Sequence, residues 1–82
     1  MKKVVIFAID GDVFDTELYY DKAFDDCEDK IILDFDTESN LLTIALVTTE
    51  AEYIANVLEG KYNVKSTIMP EERFESFTYH GL

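Results

Sequence analysis

The sequence KIILDFDTESNLLTIALV, residues 30–47, holds the pattern on which the fold prediction depends most. Its first part alternates between apolar side chains and carboxylates, as in a strand that is exposed on one face. The apolar side carries Ile31, Leu33 and Phe35, and the other side carries Asp34 and Asp36. The tetrapeptide TESN is turn-like, and residues 41–47 are then almost entirely apolar. We therefore predict a hairpin of one edge strand and one central strand.

Two further strands are predicted outside this hairpin. Residues 4–9 form a continuous run of β-branched and apolar side chains, typical of a strand buried on both faces. Residues 64–69 form a shorter and more mixed strand that ends at Pro70, the only proline of the chain. Residues 74–79 are aromatic enough to add one more strand or to pack on the body as a tail.

Two helices are predicted from apolar residues that recur at helical spacing. The first covers residues 17–28, with Thr16 as its N-cap. The second begins at a capping box, in which Thr49 and Glu52 each satisfy a free backbone amide, and it ends at Gly60. The order of elements is then β-α-β-β-α-β.

This order predicts a single α+β domain over residues 1–82, a two-layer sandwich of the ferredoxin-like kind. The first and third strands should be central, because they are the continuously apolar ones, and the second and fourth should lie at the edges. Both helices should cover one face of the sheet. The aromatic residues of the C-terminal segment are expected to cover the other face or to form a dimer interface there; they are Phe74, Phe77 and Tyr79.

The negative charge of the chain is concentrated in one segment. Residues 10–38 contain twelve carboxylates and two lysines, so they carry −10 of the formal net charge of −11. A field of this sign attracts basic surfaces and repels nucleic acid and anionic lipid. We therefore expect a basic protein partner, and neither direct nucleic-acid binding nor membrane binding.

Part of this charge falls at helical spacing within the first predicted helix. Residues three and four apart are neighbours on a helix surface, which predicts a row of carboxylates along one side; the row is Glu17, Asp21, Asp25 and Glu28. Like charges in such a row destabilise a helix by a few tenths of a kcal/mol per pair. A penalty without an evident local benefit often marks a functional surface. We expect this surface to extend to Asp34 and Asp36.

Carboxylates a few ångströms apart resemble the charge spacing along a nucleic-acid strand. In size and charge the chain resembles the small acidic DNA-mimic proteins encoded by phages and plasmids. That resemblance implies a non-enzymatic inhibitor that blocks the nucleic-acid-binding surface of a basic bacterial protein, such as a nucleoid or host-defence protein. Two alternatives stay open: the acidic residues form only a solvated face, or the chain is a homodimeric regulatory or assembly domain whose acidity serves solubility.

Residues 4–17 also resemble the first motif of haloacid dehalogenase-type phosphatases, an apolar strand followed by an Asp-Gly turn. By that resemblance Asp10 would be the general acid/base and Gly11 the turn glycine. The nucleophile position, however, is Ala8, whose methyl group cannot form an aspartyl-phosphate. We therefore expect no enzymatic activity and no cofactor.

The remaining candidates concern metal binding and location. Asp10, Asp12 and Asp15 are close enough in sequence to suggest an oxygen-ligand site for a hard cation, although no dedicated metal site is predicted. Cys27 is expected to be a buried structural thiol, and as a single cysteine it permits no internal disulfide. The apolar run at residues 4–9 is too short for a signal core or a membrane span. These features predict a cytoplasmic protein.

Overall fold

A four-stranded antiparallel sheet organises the fold, which a computed structural model describes for residues 1–75. The strands are β1 (Lys3–Asp10), β2 (Asp29–Asp36), β3 (Leu41–Thr48) and β4 (Ser66–Pro70). They follow one another across the sheet in the order β2-β3-β1-β4. The helices are α1 (Gly11–Thr16), α2 (Lys22–Asp25) and α3 (Ala51–Tyr62), with a 3₁₀ turn at Leu18–Tyr20. Residues 71–75 are also helical.

The prediction that the first and third strands are central is confirmed. β1 pairs with β3 on one side and with β4 on the other, and β2 pairs with β3. The two central strands carry the longest apolar runs because both of their faces are covered. The α+β class is confirmed as well.

The helices α1, α2 and α3 lie on one face of the sheet and enclose the larger part of the core. α3 packs against β1 and β4, whereas α1 contacts β1 and β3. The largest side chains with almost no exposure on this face are Leu18, Ile44, Leu46 and Leu58. A smaller cluster occupies the opposite face, where Phe74 is buried against Val4, Ala45 and Val47.

The prediction of one long helix over residues 17–28 is wrong. The chain instead forms α1, the 3₁₀ turn and α2, separated by Glu17 and by an extended Asp21. Aspartate is a poor residue inside a helix but a good N-cap, and two aspartates act in this way. Asp10 accepts hydrogen bonds from the backbone N–H groups of Asp12 (2.8 Å) and Val13 (3.4 Å). Asp21 accepts one from Ala23 N–H (2.9 Å).

The predicted boundaries of the second helix are also wrong. The N-cap of α3 is Glu50, whose side chain makes no capping hydrogen bond, and Thr48 Oγ1 accepts the Glu50 N–H at 3.0 Å. The Thr49 capping box is therefore not formed. At the other end the helix passes through Gly60 to Tyr62, because Asn63 supplies the left-handed residue, with φ of 57°, that ends it.

The alternation predicted for β2 is broken by a β-bulge between Ile32 and Asp34. The extra residue, Leu33, packs against the cluster on the face opposite the helices. Beyond the bulge the side chains change faces: Phe35 pairs with Leu42 on the helix-covered face. Ile31, Leu33 and Phe35 therefore do not share one side of the sheet, as the simple pattern predicted.

For residues 74–79 the sequence left open an extra strand or an aromatic tail packed on the body; no strand begins at residue 74, because Phe74 and Glu75 are helical. Phe77 and Tyr79 lie outside the described residues. In the described part of the chain no helix is long and apolar enough to cross a membrane.

Candidate acidic interaction surface

The charged segment forms one side of the molecule. We call residues 10–38 the acidic half: it comprises α1, the 3₁₀ turn, α2 and the edge strand β2. The other side of the sheet is formed by β4 and by α3, which packs against β1 and β4. Because β2 and β4 lie at opposite edges, the charge asymmetry of the sequence becomes an asymmetry in space.

Few of the carboxylates in the acidic half are neutralised within the chain. Among residues 1–75 there are three ion pairs, and two of them involve this half. Lys2 Nζ lies 2.8 Å from Glu28 Oε2, and Lys61 Nζ lies 2.8 Å from Asp21 Oδ2. The half's own Lys30 is directed elsewhere: its Nζ donates to the Cys27 carbonyl at 3.3 Å and lies 5.6 Å from the centre of the Phe24 ring.

The six carboxylates predicted as the binding surface do not form a single row. Glu17 lies between α1 and the 3₁₀ turn, Asp25 ends α2, and both are exposed. Glu28 directly precedes β2 and is held by Lys2. The prediction of a single row along one helix face is therefore wrong, because these residues belong to separate segments.

The two strand carboxylates point to the other face of the sheet. Asp34 pairs with Thr43 and Asp36 pairs with Leu41. Directly opposite residues in an antiparallel pair share a face, and alternation along β3 places Thr43 and Leu41 on the face of Ala45, away from the helices. The predicted surface is thus divided between the helical side and the opposite face, along one edge of the molecule.

Asp21 differs from the other five because its side chain is largely buried and its carboxylate is held by two other side chains. Its side chain is only 8% exposed. Besides capping α2, it accepts hydrogen bonds from Lys61 Nζ and from the Tyr62 hydroxyl. Burial by itself would raise the pKa of Asp21, but the hydrogen bonds from Lys61, Tyr62 and the Ala23 backbone lower it below the usual value. Asp21 therefore fastens the acidic half to the end of α3.

The Tyr62 hydroxyl is one of the two side-chain donors in this contact. Its pKa is raised, first by burial and then by the hydrogen bond to the Asp21 carboxylate. The Tyr62 ring packs against the core on the helix-covered face. The sequence signal for this contact was an aspartate placed before Ala23 and Phe24 in the manner of an N-cap; its long-range partners could not be read from local pattern.

The metal alternative finds no support in the geometry of the described residues. Within residues 1–75 no group of three or more His, Cys, Asp or Glu side chains is arranged to hold a metal ion. Asp10 is used as the N-cap of α1. Asp12 is exposed, and its backbone carbonyl accepts a hydrogen bond from Thr16 Oγ1 at 2.8 Å.

A shallow groove, which the sequence analysis missed, lies between α1 and β2. Its volume is about 270 Å³. Its walls are apolar and its rim is acidic; the apolar residues are Phe14, Ile32, Phe35 and Leu42, and the carboxylates are Asp12 and Asp15. Ile32 is 62% exposed and Phe35 is 47% exposed, which is high for such side chains. The groove was missed because the bulge brings Phe35 to this face.

Cys27 is buried, as predicted, at 4% exposure. Its Sγ donates to the Ala23 carbonyl at 3.3 Å. Burial raises the pKa of the Cys27 thiol to about 11, so the reactive thiolate is scarce at neutral pH. Burial is the main cause of this raised pKa; Lys30 lowers the pKa of Cys27 and Asp26 raises it, both by less.

No protein-family model, curated protein or solved structure matches this chain. The functional inference therefore depends on the residues and geometry described above.

Proposed function

We propose that this protein is a non-enzymatic interaction protein of the DNA-mimic type, which blocks the nucleic-acid-binding surface of a basic bacterial protein in the cytoplasm. The observation that carries this proposal is the acidic half: a net charge of −10 on one side of a small sheet, with two ion pairs formed there among residues 1–75. Charge that is not used to hold the fold is available to a partner.

The spacing of the exposed carboxylates supports a mimic of phosphate charge. Asp34 and Asp36 are two residues apart on a strand, which corresponds to roughly 6.7 Å. A nucleic-acid strand carries about one charge per 3.4 Å measured along the helix axis, and its phosphates are farther apart in space than this rise because the strand winds around the axis. The separation of the two carboxylates is therefore of the same order as that of neighbouring phosphates. The proposed contact residues are Glu17, Asp25, Glu28, Asp34 and Asp36.

Asp21 no longer belongs to this set, because its buried carboxylate is engaged by Lys61 and Tyr62. Phosphate surrogates must be accessible to solvent to exchange their counterions for a partner's cations, and Glu28 meets this condition despite its ion pair with Lys2, because its side chain is 42% exposed. We also assign the fold to the ferredoxin-like class as part of this proposal, supported by the strand order β2-β3-β1-β4 and by helical connections after β1 and β3.

The direct test is competition with nucleic acid. The tagged protein is incubated in nuclease-treated bacterial lysate, and bound proteins are eluted either with salt or with duplex DNA and identified by mass spectrometry. We expect one basic nucleic-acid-binding protein that DNA elutes. The purified target should then lose its DNA complex when this protein is added. A target that binds DNA and this protein at the same time would contradict the mimic mechanism.

The alternative is a homodimer in which acidity serves only solubility. Its predicted interface was Phe74, Phe77 and Tyr79. Phe74 is 5% exposed within the single chain, and Phe77 and Tyr79 lie outside the described residues. The same face does expose Ile31 (37%) and Leu41 (42%). Sedimentation equilibrium separates the two functions: salt-insensitive dimers without a basic partner would favour the alternative.

A further inference from the structure

The outer edge of β2 is open, whereas that of β4 is protected. Among the described residues β2 pairs with β3 alone, it runs for eight residues, and all of them except Leu33 are exposed. β4 has five residues and ends at Pro70, and the N–H and hydroxyl of Ser66 both donate to Glu59 Oε2 at 3.1 and 2.6 Å. An unpaired edge presents a row of backbone N–H and C=O groups to any added strand.

The bulge gives the two faces of this edge different chemistry. On the helix-covered face, Ile32 and Phe35 form the apolar wall of the groove beside α1. On the opposite face, Asp34 and Asp36 present carboxylates. A strand that paired with residues 32–36 would place alternate side chains on these two faces. A strand that fits this edge would therefore place apolar side chains toward the groove and basic side chains toward the aspartates.

A second copy of this chain is a poor occupant of the edge. Pairing of two β2 edges would bring aspartates of one copy beside those of the other, and like charges across a strand pair are destabilising. Edge charges and bulges are also known devices against self-pairing. A basic strand meets no such repulsion.

We propose that the β2 edge binds an extended segment of a partner protein in which lysine or arginine alternates with apolar residues. Backbone pairing with β2 supplies affinity, and the alternation supplies specificity. Asp12 and Asp15 at the rim of the groove add attraction for a cation at the end of the segment. This inference rests on the proposed function, since it names the part of the basic partner that this protein engages.

The test uses a labelled synthetic peptide as long as β2, with basic and apolar residues in alternation, titrated with the full-length protein by fluorescence anisotropy. One control has the same composition with basic and apolar residues in separate blocks. A second is N-methylated at alternate positions, which removes the backbone donors. We expect both controls to bind at least about tenfold more weakly, a loss of about 1.4 kcal/mol.

A pair of matched variants locates the site on the protein. Ile32→Thr keeps a β-branched residue in the strand but removes much of the apolar wall, and we expect it to weaken the alternating peptide about fivefold or more. Ile68→Thr makes the same change on β4, where the side chain is 37% exposed, and should leave affinity unchanged. Circular dichroism and thermal unfolding confirm that both variants fold.

Equal affinity for the alternating and N-methylated peptides would overturn the strand-pairing inference while leaving charge-based binding of a basic target intact. Conversely, strong alternating-peptide binding with no competition between DNA and a captured target would support strand pairing and contradict the DNA-mimic function. Dimerisation that Ile32→Thr abolishes would assign the edge to a second copy and overturn the inference.

Discussion

The two edges of the sheet share antiparallel backbone pairing but differ in their charge and in their exposed apolar side chains. On the β4 side, six carboxylates and five cations outside residues 10–38 nearly balance, and Ser66 is tied to Glu59. On the β2 side, residues 10–38 contain twelve carboxylates and only two lysines, and exposed apolar side chains lie along a strand with an unpaired edge. The first side is close to neutral and ties Ser66 and Lys3 to glutamates of the same chain. The second leaves most of its carboxylates available to a partner, and this is why we assign binding to it.

Removal of a buried anchor should have the largest effect on stability. Leu18 is completely buried and lies in the 3₁₀ turn of the acidic half. Leu18→Ala should lower the free energy of unfolding by about 2–5 kcal/mol, as expected for a core leucine, and Leu58→Ala in α3 should cost a similar amount. Tyr20→Ala is the exposed control, with 77% exposure and a cost under about 0.5 kcal/mol. Urea unfolding measures all three.

A much smaller loss of unfolding free energy for Leu18→Ala than for Leu58→Ala would contradict the expectation that the two halves are packed equally well. It would mean that the segment between β1 and β2, which contains Leu18, contributes less packing energy to the fold than α3 does. Equal costs would show that only the surfaces of the two halves differ.

The Asp21 contact should come next in size. Asp21→Asn keeps a side-chain oxygen that can cap α2, but it removes the charge that pairs with Lys61 and places an amide NH₂ group where Lys61 and Tyr62 donate, so we expect a loss of about 1–3 kcal/mol. Asp25→Asn, an exposed carboxylate on the same helix, is the control and should change stability by less than about 0.5 kcal/mol. A double-mutant cycle of Asp21→Asn with Tyr62→Phe should show coupling. Additive effects in that cycle would mean that the two side chains act independently.

The same contact predicts a specific pH dependence. The pKa of Asp21 lies below its ordinary value of 3.8 in the folded protein. Its ionised form therefore stabilises the fold fully above that ordinary value, and this contribution is lost as the pH falls through the lower folded value. The stability difference between the native protein and Asp21→Asn should shrink in acid, as measured by urea unfolding across the acidic range. A difference that stays constant would contradict the assignment.

Neutralising exposed carboxylates should have the smallest effect, with the opposite sign. Asp34→Asn with Asp36→Asn removes two charges from a strongly negative edge, so thermal stability at low salt should rise by a few tenths of a kcal/mol. The gain should disappear at high salt because screening already weakens the repulsion. Glu52→Gln with Glu72→Gln removes the same charge from the balanced side and should give no gain. Calorimetry at two salt concentrations tests this difference.

The sequence predicted the sheet well because its signals are local. The apolar runs of residues 4–9 and 41–47 indicated central strands, and both are found between the edges. Helical periodicity failed at residues 17–28 because Asp21 could be read as a member of a charged row or as an N-cap. The choice depends on Lys61 and Tyr62, which are about forty residues away in sequence.

The candidate site was predictable in charge but not in shape. Counting carboxylates places the excess charge in residues 10–38, and the strand order puts β2 of this segment at one edge of the sheet. The bulge at Leu33, which follows from pairing with β3, decided which face Phe35, Asp34 and Asp36 occupy. Strict alternation contains no signal for such an extra residue, so the apolar groove and the divided acidic surface were both invisible before the structure.

The central claim is that the acidic half binds a basic protein, and matched charge reversals test it most directly. Glu17→Lys with Asp25→Lys changes the acidic half, and Glu52→Lys with Glu72→Lys makes the same net change on exposed sites elsewhere. The measurement is the Kd for the captured target at two salt concentrations. We expect the first pair to weaken binding about a hundredfold at low salt and to flatten its salt dependence, with little effect from the second. Equal losses from both pairs would show that only net charge matters, and would contradict a defined acidic site.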